Sequence, residues 1–212
     1  MTGHRGLFVS IDGSGGAGKS TITRHLHHRL TNQGYTAHTT TEPSRDQLGE
    51  IARHGTDTYS GHALACLVAA DRYHHLAAEI RPQLAAGRIV LCDRYVASSY
   101  VLQRMDGVPI DFIEALNAAT DIPDLAVILT ADPEVTARRI HERGAHSRFE
   151  AGITTSRTEA ELYADTAHRL TRLNYPILAI DTTKSTTEQV VSTITQRIAQ
   201  LAAGPPGEPR TA

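Results

Sequence analysis

An apolar run, "LFVSI" (7–11), leads without a break into "DGSGGAGKST" (12–21), after which Ile22, Leu26 and Leu30 recur every four residues. A short buried strand, a glycine-rich turn and a helix, in that order, restrict a chain to a narrow set of α/β folds. Within the turn the spacing is Gly13, four residues, then Gly18-Lys19-Ser20. This is the pattern of a phosphate-binding loop. Its glycines let successive backbone N–H groups converge on phosphate oxygens at a helix N-terminus. A compact ammonium on a flexible stem suits the β and γ phosphates, a role that falls to Lys19. The Ser20 hydroxyl can ligate Mg²⁺. Lys19 and Lys184 are the only lysines, against nineteen arginines, so a lysine inside the loop stands out. The expected triphosphate-binding stretch is Gly13, Ser14, Gly15, Gly16, Ala17, Gly18, Lys19, Ser20 and Thr21.

Further apolar runs give strands at "YTAHTTT", "RIVLC", "LAVILT" and "PILAID". Helical periods fill the intervals. One long helix over "ALACLVAADRYHHLAAEIRPQLAAG" is interrupted near Pro82 and stopped by Gly87. Others are expected at 109–119, 133–143, 157–173 and 187–203, with "GAHSRFEAGITTS" as a loop. Strands alternating with helices imply a parallel sheet covered on both faces. The expectation is a P-loop NTPase fold, a three-layer α/β/α sandwich with a five-stranded parallel sheet and a short lid. One domain spans 1–203, the lid falls at about 144–156, and "GPPGEPRTA" (204–212) reads as a disordered tail.

A formal net charge of −2 argues against a non-specific nucleic-acid or polybasic membrane binder. Two cysteines, Cys66 and Cys92, make a disulfide framework or thiolate metal site a poor reading. No apolar run reaches membrane-spanning length and no leader precedes Leu7, so the expected location is the cytoplasm. "HLHH" (25–28) and His74-His75 could suggest a metal, but no ligand-spaced carboxylate accompanies them, and solvated surface is the better reading.

A GTPase would carry Asn-Lys-x-Asp to read its base, and neither lysine follows an asparagine. Other segments point elsewhere. "TTEPSRDQLGEIAR", "AADRYHHLAAEIRPQLAAGRIVLCDRYVASSYVLQ", "RGAHSRFE" and "AIDTTKSTTEQV" occur in this order. With the loop they resemble the thymidylate kinase family over about residues 5–200. The resemblance implies transfer of the ATP γ-phosphoryl to a nucleoside monophosphate, dTMP or a related pyrimidine nucleotide, by a homodimer packed through helices. It implies that Asp93 lies near the Mg²⁺, beside Ser20, and that Arg94 and Arg72 hold the acceptor phosphate. Glu42 joins the substrate-binding set. Arg148 matches the lid arginine of members whose loop carries glycine at its central variable position, here Gly16, and would act on the transferring phosphoryl. Lys19, Asp93, Arg94 and Arg148 form the catalytic set, and Arg139 is placed with ATP, like Arg143 beside the lid. From the residues alone, Asp93-Arg94 could be a salt-bridged strand end, Arg72 a surface partner of Asp71, and Arg139 and Arg143 solvated surface.

Four positions depart from the family pattern. Gly15 stands where an acidic residue is usual, with Asp12 as partial compensation. Val68 replaces a pyrimidine-stacking phenylalanine, Leu102 an aromatic that crowds the sugar 2′ position, and Ser147 a lid aspartate. Losing a stacking ring removes about 1–3 kcal/mol of base affinity. Phosphate-contacting residues are kept while base- and sugar-reading residues change. Ser98, Ser99, Tyr100 and Gln103 are left to build the base pocket, with Gln103 able to pair with a pyrimidine edge. A same-fold kinase for an unusual nucleotide or small phosphorylated acceptor, and a catalytically silent ATP-binding protein, are the alternatives.

Overall fold

The computed structural model describes residues 6–145, 148–150 and 152–203; the expected tail at 204–212 and Ser147 lie outside them. Five strands form one parallel sheet, β1 (Leu7–Gly13), β2 (Ala37–Thr41), β3 (Ile89–Asp93), β4 (Leu125–Thr130) and β5 (Ile177–Asp181), in the order β2-β3-β1-β4-β5. Helices α1 (Lys19–Asn32) and α9 (Thr187–Ala203) cover one face. The other carries α3 (Gly61–His75), α5 (Val96–Met105) and α8 (Gly152–Arg172). The remaining helices are α2 (Gln47–His54), α4 (Arg81–Ala85), α6 (Ile110–Asn117) and α7 (Pro133–Arg143).

Alternation along each strand divides the core in two. Phe8, Val90, Cys92 and Ile128 pack with Leu76, Val101 and Tyr163 on one side. Val9, Ile11, Leu91 and Val127 pack with Leu26, Leu30, Ile194 and Ile198 on the other. Burial on both faces explains why the strands read as unbroken apolar runs. Cys92 lies inside this core, whereas Cys66 is exposed on α3, so the two do not pair.

Three elements differ from expectation. Gln47–His54 is a helix, capped by the Asp46 carboxylate, where no element was expected. The interruption near Pro82 is a π turn at Leu76–Ile80, in which the Arg81 N–H reaches the Leu76 carbonyl. Pro82 has no N–H for the carbonyl one turn back, and the widened turn absorbs the mismatch. The expected lid loop is partly helical: a 3₁₀ turn at Arg148–Glu150 precedes α8, which begins at Gly152, not near 157.

The sheet order places β1 centrally, with β3 and β4 as its neighbours. Ile11 pairs with Asp93 and Gly13 with Leu129 at their carboxyl ends. Ligands of open α/β sheets bind beyond that edge, where strand order reverses.

Candidate active site

The glycine loop leaves β1 and turns into α1. Gly13 has φ 145°, and a Cβ there would lie 2.2 Å from the Leu129 carbonyl oxygen. Gly16 has φ 75°, and its Cβ would lie 2.8 Å from the Thr136 carbonyl oxygen. Backbone therefore closes on both positions, and only glycine fits them without strain. Lys19 is buried, and its Nζ donates to the Gly13 and Ser14 carbonyls at 2.8 Å each. Burial, then the nearby Arg94, pushes its ammonium down to about 8, against Asp93, Glu159 and Asp12.

Ser20 Oγ donates to Asp93 Oδ2 at 2.5 Å. Asp93 Oδ1 is buried and has no hydrogen-bond partner among the described residues. A hydroxyl beside an under-used carboxylate is the hard-oxygen set that suits Mg²⁺, which commonly takes one or two carboxylates plus phosphate oxygens. The residues present therefore fit the ion.

Arg94 follows at φ 73°, unusual for a long side chain, with its N–H bonded to the Ile11 carbonyl at 2.9 Å. The strained backbone turns the arginine over the cleft beyond β1 and β3. Arg72 and Glu42 are both about 2% exposed or less, joined Nε to Oε2 at 2.7 Å. Arg72 Nη2 donates to Ser99 Oγ at 2.9 Å and to the Tyr95 carbonyl at 3.3 Å, and Nη1 donates to Asn117. Arg72 lines the cleft with most of its donors already engaged. Its sequence neighbour is not its partner: Asp71 is buried and accepts from Ser44 N at 2.7 Å and Ser44 Oγ at 2.5 Å.

Two clefts meet over the loop. The first is lined by Lys19, Ser20, Glu42, Val68, Arg72, Asp93, Arg94, Ser98, Ser99, Leu102 and Gln103, with Phe149 and Glu150 from the lid segment. The second is lined by Ala17, Ile22, Arg139, Thr182 and Ser185. Gly16, Gly18, Thr21 and Arg143 line both. Arg139 is no solvated surface group: it donates to the Gly16 carbonyl at 3.2 Å and the Thr182 carbonyl at 3.4 Å. Arg143 pairs with Glu150 at 2.5 Å. In the first cleft Gln103 is buried, and its Oε1 has no partner among the described residues.

Three expected site residues stand elsewhere. Asp12 lines neither cleft. Its Oδ1 accepts from Tyr95 N at 2.8 Å, Ser98 N at 2.9 Å and Ser98 Oγ at 2.7 Å and so caps α5, while its buried Oδ2 has no hydrogen-bond partner among the described residues. Tyr100 is buried in the core cluster with Tyr163 and Leu170 and lines neither cleft, whereas its α5 neighbours Ser99 and Gln103 line the first. Arg148 lines neither cleft. Its Nη1 pairs with Asp106 Oδ1 at 2.7 Å, its Nε donates to the Thr56 carbonyl at 2.7 Å, and its guanidinium stacks on Phe149 at 4.3 Å. Sequence reasoning missed Asn117, Phe149, Glu150 and Glu159. Asn117 and Glu159 are ordinary residues of helices, and Phe149 and Glu150 lie in the stretch read as a loop; only the tertiary fold brings them to the site.

A parallel sheet with a phosphate loop at its centre, an Asp-Arg pair on the next strand and two clefts sharing that loop define a P-loop phosphotransferase for two phosphorylated substrates. A family model, Thymidylate kinase, matches residues 11–194. The chain is 35% identical over 176 residues to a probable thymidylate kinase of Caldivirga maquilingensis, covering 81% of this chain and 84% of the relative. It is 33% identical over 174 residues to a probable thymidylate kinase of Pyrobaculum aerophilum, covering 81% and 86%. It is 31% identical over 206 residues to a thymidylate kinase of Shouchella clausii, covering 80% and 96%. The chain belongs to the thymidylate kinase family.

Proposed function

We propose that the protein transfers the γ-phosphoryl of ATP to dTMP, forming dTDP and ADP. One observation carries this reading beyond family membership: the two clefts share Gly16, Gly18, Thr21 and Arg143, so donor and acceptor phosphates would meet above one loop. Positioning of that kind, with electrostatic stabilisation, is most of what phosphoryl transfer asks of a protein. ATP occupies the second cleft, with Arg139 near its base and Gly13–Thr21 around its phosphates. Lys19 exchanges the Gly13 and Ser14 carbonyls for phosphate oxygens. Ser20 and Asp93 would hold Mg²⁺, which supplies charge neutralisation on the β and γ oxygens. The acceptor lies in the first cleft with its phosphate at Arg94 and the remaining donor capacity of Arg72. The free Gln103 carbonyl accepts the pyrimidine N–H. Val68 and Leu102 give the base and sugar an aliphatic wall, and Glu42, Ser98 and Ser99 brace the arginines. Arg148 serves as the arginine finger only after leaving Asp106.

We read 1–203 as one kinase domain with a lid at about 144–156, working as a homodimer in the cytoplasm without nucleic acid. Among the described residues no helix is long and apolar enough to cross a membrane. ADP release coupled to a panel of dTMP, dUMP, UMP and CMP tests the assignment. Turnover with dTMP and ATP is expected. ATP binding without turnover on any acceptor would overturn it.

A further inference from the structure

The Gly15 N–H, on the entry limb of the loop, donates to both carboxylate oxygens of Glu159, at 3.1 Å and 3.0 Å. Glu159 is 3% exposed and comes from α8, 144 residues along the chain. The space above Gly15 is also taken by the lid segment: a Cβ there would lie 2.9 Å from Glu150 Oε1. The limb is thus held by α8 and walled by the turn preceding it, the same segment that carries Arg148 and Phe149. An amide N–H needs only a neutral acceptor, and burying a carboxylate for it costs free energy unless cations face it. Burial raises the Glu159 carboxyl above its ordinary value, and Lys19 from α1, the Gly15 N–H and Arg94 from the end of β3 offset this only in part, with Glu150 as the opposing anion.

We propose that Glu159 is a positioning residue of the phosphotransfer site, fixing the loop's entry limb before nucleotide arrives and coupling the loop to α8 and the lid. This rests on the kinase reading above. Its carboxylate touches backbone and not substrate, so it acts through the loop.

The test uses the full chain with Glu159→Ala and Glu159→Gln, read by steady-state kinetics, thermal melting and amide hydrogen exchange of the peptide carrying Gly15. Glu159→Ala should lower kcat about tenfold or more, as small misplacements at reacting groups do. It should also speed exchange at the loop, while KM for dTMP stays within about twofold, because acceptor contacts are untouched. Glu159→Gln keeps an oxygen for the Gly15 N–H and should recover kcat to within about threefold of wild type and restore slow exchange. Unchanged kcat in Glu159→Ala, or equal kcat losses in both variants without faster loop exchange, would overturn the proposal. If Glu159→Ala does not fold, Glu159→Gln decides alone: slow exchange with near-normal kcat supports it, and fast exchange or a collapse of kcat defeats it. A wild type inactive on dTMP would sink the kinase reading, and loop exchange would still decide whether Glu159 holds the limb.

Discussion

Lys19 is more enclosed than a loop residue is expected to be. Its ammonium is buried against two carbonyls and depressed to about 8, so it is held ready by groups that phosphate can displace. Lys19→Ala should reduce kcat by about 10²–10³-fold or more, as removal of a preorganised charge donor does. The two carbonyls lose their partner, yet the loss of a buried charge offsets part of that cost, so the melting temperature should move little. Near-normal kcat in this variant would remove Lys19 from the chemistry. Val68 bears on choice of acceptor. It lines the first cleft beside Leu102, and Tyr100, the nearby aromatic on α5, faces the core and offers no stacking surface. Val68→Phe should therefore raise kcat/KM for dTMP by about tenfold, within the range of one base–aromatic stack. The wild type should discriminate only weakly between dTMP, dUMP and UMP, and CMP, whose N3 has no hydrogen for the Gln103 carbonyl, should be the poorer acceptor. Strict selection of dTMP by the wild type would transfer the stacking role to Phe149, the aromatic that the lid segment brings to this cleft. At this scale the sequence was legible where a fixed local frame sets position: Gly18-Lys19-Ser20 and Asp93-Arg94, each at the end of an apolar strand or its loop, line one cleft. It was a poor guide to direction. Asp71 and Asp12 are bound by partners 27 and 86 residues away that no local pattern contains, and Tyr100 is buried in the core.

Among the elements, β1 and α1 were legible because burial on both faces and a period of four leave few alternatives. The start of α8 was not, since "GITTS" (152–156) has weak helical propensity, and its Ser156 is nonetheless buried. The lid segment has its own titratable anchor. Burial pushes the Asp106 carboxyl up, but the Arg148 guanidinium and the Gly61 N–H outweigh it and hold it below the ordinary value. A depressed carboxyl stabilises the fold fully above its unfolded pKa, and that contribution is lost as pH falls through the folded one. Asp106→Asn should lower the melting temperature at pH 7, and the gap to wild type should close below the ordinary 3.8. A gap that is constant across the acid range would assign the loss to packing and not to the ion pair with Arg148.

Across the whole molecule, strand number and the parallel sheet followed from alternation of apolar runs with helices. The spatial order did not, because β2 and β3 join β1 from one side and β4 and β5 from the other through long-range pairing alone. Two clefts over one loop likewise exist only after folding. The homodimer is testable directly: sedimentation should give a species of twice the chain mass at micromolar concentration, and a monomer at every concentration would refute it. The unlike settings of the two cysteines have a practical consequence. Cys92 lies wholly inside the sheet core and its thiol is pushed well above the ordinary range, first by burial and then by Glu42, Asp12 and Asp93. Cys66 is exposed on α3, two residues before Val68. Only the thiolate reacts with alkylating dyes, and it must be reachable. The native chain should therefore accept one maleimide fluorophore, at Cys66, without any engineering. Mass spectrometry should find one adduct per chain, and a second adduct would show that the sheet core opens to solvent.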